Sequence, residues 1–190
     1  MARRLEPEVR KAEIISSTRA MIAEGKGSNL SLRAVARHCG MTAPGLSHHF
    51  ADLTELLEAV IRQREDENFS LIETQLLESY SDPTLRDLAD TLVRFYADRP
   101  EEARNYDRFE AEALSPGHPA HAYFQRSSVR PLPLTVALIE KEYANPTAVI
   151  QMLSLVVDGL RMRWLHDDEA DYWSDWVAVR DTVFTTFERL

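Results

Sequence analysis

Between Leu30 and Phe50 the chain reads LSLRAVARHCGMTAPGLSHHF, and few folds accommodate that order of residues. Ser31 is a preferred helix cap and opens a run of about eight residues with apolar spacing, to His38 or Cys39. Gly40 follows where a tight turn asks for positive φ. Thr42 caps a second run, Ala43 to His49. Pro44 falls in its first turn, where the missing N–H removes no helical hydrogen bond. The stretch predicts two short helices joined by a glycine turn. Upstream, a helix starts near Pro7 and runs to about Glu24, with Ala12, Ile15, Thr18, Met21 and Ile22 as its apolar face and GKGSN as its terminator. Downstream, Asp52 and Glu55 form a capping box for a helix that carries Leu56, Leu57, Val60 and Ile61 and extends past Phe69 towards Tyr80.

The rest of the sequence repeats the helical signature. β-branched residues are scattered and do not alternate, whereas periods near 3.6 recur throughout. Helices are predicted from Pro83 to about Asp98, from Pro100 to about Leu114, from Pro119 to Tyr143 with a kink at Pro131 and Pro133, from Pro146 to about Leu165, and from Ala170 to Arg189. The expected fold is all-α, with about nine helices: a three-helix head over residues 1–52 and a helical body over 53–190. At 44% apolar and 28% charged residues the chain is globular and long enough to bury a core without staples. Its one cysteine, Cys39, excludes an internal disulfide framework and fits a reducing compartment. The N-terminus lacks the apolar core of a signal peptide, and no apolar run reaches the roughly 20 residues that span a bilayer. These features predict a cytoplasmic protein with no membrane partner.

The net charge of −9 argues against a polyanion partner until its distribution is considered. Residues 1–50 hold eight Lys/Arg against four Asp/Glu, and residues 51–190 hold fourteen against twenty-seven. A basic head on an acidic body approaches a polyanion with one end only. Two short helices about a glycine turn, on a basic three-helix head, are the parts of a helix-turn-helix. In this reading Val35, Cys39, Met41 and Leu46 point inward, and Ala36 is small where the helices cross. The outward face shows Thr42, Ala43, Gly45, Ser47 and His48, side chains short enough to sit close to a groove.

Residues 9–60 resemble the DNA-binding domain of the TetR family of transcriptional regulators. SLRAVARHCGMTAPGLSHHF followed by ADLTELLEAV is similar to the family pattern in spacing and at Gly40, Leu46, His48, Phe50 and the later Leu pair. More loosely, ALSPGHPAHAYFQR and VVDGLRMRWLHDDEAD resemble the branch that includes the choline-responsive repressor of betaine synthesis. The resemblance implies a homodimer on a palindromic double-stranded operator, most simply a repressor released by a small-molecule inducer bound in residues 53–190. It implies phosphate contacts by Ser31 and Arg33, and a DNA-facing set of Thr42, Ala43, Pro44, Gly45, Ser47, His48 and His49. Two positions depart from the family. Ser47 stands where many members carry an aromatic residue, and Leu53 where many carry Lys, each a phosphate contact. Arg3, Arg4, Arg10 and Lys11 are placed to compensate.

Other constellations are weighed against plainer roles. His38, Cys39, His48 and His49 lack the spacing of a zinc finger, so no metal or other cofactor is expected. His118 and His121 read as loop anchors. Tyr106, Phe109 and Glu110 share a helix face on which a carboxylate beside aromatics would hold a cationic ligand; the pocket reading also takes in Phe95, Asp158 and Met162. The alternatives are ion pairs, Glu110 with Arg126 or Arg161, and Asp158 with Arg161 or Arg130. Val156, Leu160, Trp164, Trp176, Val177 and Phe184 form an apolar surface suited to a four-helix dimer bundle. No Gly-rich phosphate loop, nucleophile elbow or catalytic triad is present, which argues against an enzyme. A helical interaction module that has lost operator binding is the alternative to a regulator, supported by the departures at Ser47 and Leu53.

Overall fold

The computed structural model describes residues 6–127 and 133–190. Arg3, Arg4, Arg130 and the expected kink at Pro131 lie outside the described residues. Among those described, the chain forms ten α-helices and no β-strand. They are α1 (Pro7–Ala23), α2 (Leu32–His38), α3 (Ala43–Ser47), α4 (Leu53–Ser79), α5 (Leu85–Ala97), α6 (Pro100–Glu112), α7 (His121–Ser127), α8 (Pro133–Glu142), α9 (Pro146–His166) and α10 (Tyr172–Thr185), with a short 3-10 turn at Gly27–Asn29. The all-α expectation is met. The single helix expected over residues 119–143 is described as two, α7 and α8.

The chain forms two compact units, one of residues 1–67 with 101–128 and one of residues 68–100 with 129–190. This division differs from a cut at residue 52. The first unit takes in α6 and α7 because their apolar faces complete the core of the head. Tyr106, Phe109, Ala113, Ala120 and Tyr123 are buried in one cluster with Ile14, Ile22, Val35, Leu46, Phe50 and Leu57. On α1 the buried face is Ile14, Thr18, Met21 and Ile22. Ala12 is exposed and Ile15 half-buried, so the inward stripe is rotated from the one the sequence suggested. Thr18 is tolerated there because its hydroxyl donates to the Ile14 carbonyl at 2.8 Å.

The second unit is organised by α5, α8, α9 and α10. Thr84 caps α5 in a full capping box with Asp87. The Leu85 N–H donates to Glu142 at 2.8 Å, which ties the start of α5 to the end of α8. Trp176 is fully buried, and its indole N–H donates to Asp90 at 2.6 Å. Asp90 also pairs with Arg180, so a half-buried carboxylate has both a hydrogen-bond donor and a counter-charge. Phe184 is buried in the same core. Trp176 and Phe184 are therefore not exposed for the dimer face expected of them; α10 turns them inwards, into the core of its own chain. Trp176→Ala is expected to lower stability by about 3–5 kcal/mol, read as a fall in the urea midpoint.

Candidate nucleic-acid interface

Local capping chemistry builds the helix-turn-helix. Ser31 Oγ accepts from the Ala34 N–H at 3.2 Å and starts α2. Cys39 closes that helix, and Gly40 takes φ +63°, a conformation that a side chain makes costly. The turn is locked where the Met41 N–H returns to the Ala36 carbonyl at 2.8 Å. Thr42 Oγ1 then accepts from the Gly45 N–H at 3.2 Å and starts α3. Val35, Ala36 and Leu46 are buried, while Cys39 and Met41 are half-buried against the same cluster. The Asp52 carboxylate accepts from Glu55 N–H at 2.9 Å, and Glu55 reaches back to the Ala51 N–H at 2.7 Å. The return bond of this cap thus falls one residue earlier than in the box read from the sequence.

Of the nine positions expected to face DNA, Ser31, Arg33, Thr42, Pro44, Ser47 and His48 are exposed, and Ala43, Gly45 and His49 are half-buried. Their hydroxyls differ in what they offer. Ser31 and Thr42 use lone pairs for capping, so each retains its O–H as a donor. Ser47 instead donates to the Ala43 carbonyl at 3.1 Å and presents only an acceptor outwards. Among the basic residues read as compensating, Arg10 pairs with Glu13 at 2.8 Å, and the Lys11 ammonium lies 5.9 Å from the centre of the Phe50 ring.

The six residues read as a pocket fall into different units. Tyr106 and Phe109 are core residues of the first unit, and Glu110 is exposed on α6. In the second unit Phe95 is buried, whereas Asp158 and Met162 are exposed on α9. Asp158 is not a charge buried in an apolar run. It faces outwards and pairs with Arg161 at 3.4 Å, one of the two partners the sequence offered. Arg126 pairs with Glu58. The second unit also holds a groove of about 520 Å³ lined by Glu78, Tyr80, Asp90, Arg94, Trp173 and Arg180 among others. Sequence reading missed it because its walls come from helices far apart in the chain. Among the described residues no group of three His, Cys, Asp or Glu side chains is placed to hold a metal ion. No helix of the described chain is long and apolar enough to cross a membrane.

Two short capped helices about a glycine turn, the second with its outward face exposed, have the arrangement of a DNA-reading helix-turn-helix. Residues 14–60 match the family model described as bacterial regulatory proteins, tetR family. Solved structures share the whole fold. A protein described as a TetR-family transcriptional regulator from Mesorhizobium loti superposes with a TM-score of 0.69 at 15% identity, over 97% of this chain and 100% of the other. One described in the same terms from Rhodococcus sp. gives 0.63 at 18% identity, over 93% and 97%. The multidrug binding protein EbrR, complexed with malachite green, gives 0.63 at 23% identity, over 94% and 98%. No curated protein sequence matches this one. Gly40→Ala meets no steric obstacle, since nothing lies within 4 Å of the added methyl. Its cost is conformational, about 1–2 kcal/mol, and is expected as a lowered urea midpoint.

Proposed function

We propose that this regulator is a cytoplasmic homodimer that represses from a palindromic operator and is released by a small-molecule inducer. The observation that carries the reading is the outward face of the helix-turn-helix, where Thr42, Pro44, Ser47 and His48 are exposed beside Ser31 and Arg33 while Leu46 anchors the helix from behind. In this reading residues 1–52 bind DNA, and residues 53–190 bind the ligand and dimerise. The Ser31 hydroxyl and the Arg33 guanidinium hold phosphates, and α3 enters the major groove with His48 or His49 towards base edges.

The dimer reading rests on α9. Ala148, Met152, Leu155, Gly159 and Met162 are exposed at alternating spacings of four and three, the period of a helix-packing seam. Leu155 is 72% exposed, an unusual state for a large apolar side chain in mid-helix. At Gly159 nothing approaches the position of a Cβ, so a partner helix can come close. Val156, Leu160 and Trp164 are half-buried along this helix, and Val177 is exposed on α10. The ligand is placed in the helical body, by analogy with a neighbour that binds malachite green. Release then requires that the ligand favour a spacing of the paired heads that does not match the operator. A C-terminal kinship with the choline-responsive branch is proposed on sequence similarity alone.

The test is selection of bound sequences from random duplex DNA by the purified protein. A recovered palindrome with half-sites about one helical turn apart supports the reading. No enrichment at low salt by a confirmed dimer favours the interaction module instead, in keeping with the inward bond of Ser47. On a recovered operator, Arg33→Ala is expected to weaken binding on all sequences and reduce the slope of log K against log salt by about 0.9. Leu155→Glu is expected to yield a folded monomer in sedimentation and to lose cooperative operator binding.

A further inference from the structure

The connection between α1 and α2 is held by three contacts from α6. Asn105 donates to the Ala23 carbonyl at 2.6 Å, where α1 ends. The Phe109 ring lies against Gly27, so close that a Cβ there would stand 3.1 Å from it. Ser28 Oγ donates to Glu112 at 2.5 Å. Three residues beyond Ser28 stands Ser31, the cap of α2.

His118, in the turn between α6 and α7, supports this clamp from behind. Its ring packs edge-on to Phe109, with centroids 5.2 Å apart at 74°. Its Nδ1 accepts from the Ala120 N–H at 3.2 Å. An acceptor at Nδ1 requires the neutral ring with its proton on Nε2. A proton at Nδ1 sets two donors against each other and puts a charge beside an aromatic ring. The charged groups that bear on the imidazole are Glu112 from α6 and His121 at the start of α7. His121 donates from its own Nδ1 to the Ala113 carbonyl at 2.8 Å, a bond that its cation keeps. Glu112 is thus the carboxylate to which a cationic His118 would turn, and Glu112 already holds Ser28.

We propose that protonation of His118 loosens the α6 clamp on the α1–α2 connection and so weakens DNA binding in acid. The inference rests on the DNA-binding reading above. Burial holds the His118 pKa below its ordinary value; Glu112 opposes this and His121 adds to it. A proton therefore binds the released ring better than the clamped one. The clamp keeps its full stability above about pH 6.5 and loses it as the pH falls towards the lowered value. A variant at His118 separates this effect from every other pH-dependent contribution to DNA binding.

The experiment uses the full chain with its selected operator, measuring affinity by fluorescence anisotropy from pH 7.5 to 5.5 at constant ionic strength. NMR follows the His118 imidazole and amide exchange at Gly27 and Ser28. His118→Asn keeps an acceptor near Ala120 without a titrating proton. Over this range the wild type is expected to lose affinity relative to that variant, with the loss growing as the pH falls below about 6.5. Glu112→Gln keeps an acceptor for Ser28 but removes the charge, and is expected to move the imidazole titration, and release with it, to lower pH. Superimposable pH profiles for wild type and His118→Asn overturn the proposal. So does an imidazole that titrates while the Gly27 and Ser28 amides stay as protected as at pH 7.5; this outcome decides the matter even if His118→Asn does not fold. Absence of operator binding at every pH counts against the DNA-binding reading, and the NMR measurements still decide the clamp.

Discussion

Phe109 occupies the space that a side chain at residue 27 would need, and much of the first unit follows from that contact. The helices α2 and α3 have seven and five residues, too few to be stable without tertiary packing. Burial of Leu46, Val35 and Phe50 needs a larger apolar partner than α1 alone provides, and α6 and α7 supply it through Tyr106, Phe109, Ala113 and Tyr123. The polar margin of the same contact is also satisfied. Arg19 pairs with Glu67 and lies 3.7 Å from Glu102, which also faces Arg64 at 3.5 Å. The Arg64 guanidinium lies 3.5 Å from the centre of the Tyr106 ring, so a nearly buried cation has a carboxylate on one side and a π-face on another. Tyr123 completes the set by donating to Glu65 at 2.8 Å.

The sequence was most informative where structure is decided locally. Ser31, Gly40, Thr42 and Asp52 mark helix boundaries through bonds made within three or four residues, and α2, α3 and α4 begin where those residues place them. The length of α4, Leu53–Ser79, was also legible, since no proline or glycine interrupts it. Periodicity was less informative about partners. It marks a face as apolar and does not say which helix covers it. Trp176 and Phe184 have the spacing of an interface stripe and are covered by their own chain. Tyr106 and Phe109 have the spacing of a pocket wall and fill a core. Asp158 looked buried because its neighbours in the chain are apolar, yet it sits on the exposed side of α9 and pairs along its own helix. The exposed stripe of Met152, Leu155, Gly159 and Met162 lies on the same helix as Trp164 but has smaller side chains, and residue size alone does not distinguish a covered face from an open one.

Two kinds of stabilisation divide the molecule. In the second unit polar side chains tie helices together in pairs: Trp176 to Asp90, Leu85 N–H to Glu142, and, at the surface, Lys141 to Asp82 at 2.8 Å. The stacked rings of Trp164 and Tyr172, 5.3 Å apart, close the turn between α9 and α10. These contacts join helices of the unit, while the stripe of Met152, Leu155 and Met162 on α9 stays exposed. The first unit is held by apolar burial around Phe109, with Thr18 and Arg64 as buried polar members and further polar contacts, Ser28 with Glu112 among them, at its rim. A change at the rim therefore alters how firmly the α1–α2 connection is seated without emptying the core beneath it.

The division of labour within α3 sets how this head can change its target. Leu46 carries the packing alone, while Pro44, Ser47 and His48 carry almost none. Longer polar side chains can replace Ser47 or His48 without disturbing the buried face, and each replacement would add a reach that the present short residues lack. On the proposed DNA-binding reading such a surface is open to redirection, because single substitutions at these exposed positions leave the buried face of α3 intact. The two threonine and serine caps are constrained in the opposite sense. In each, one oxygen both starts a helix and faces outwards, so those positions cannot vary for recognition without also being tested for stability.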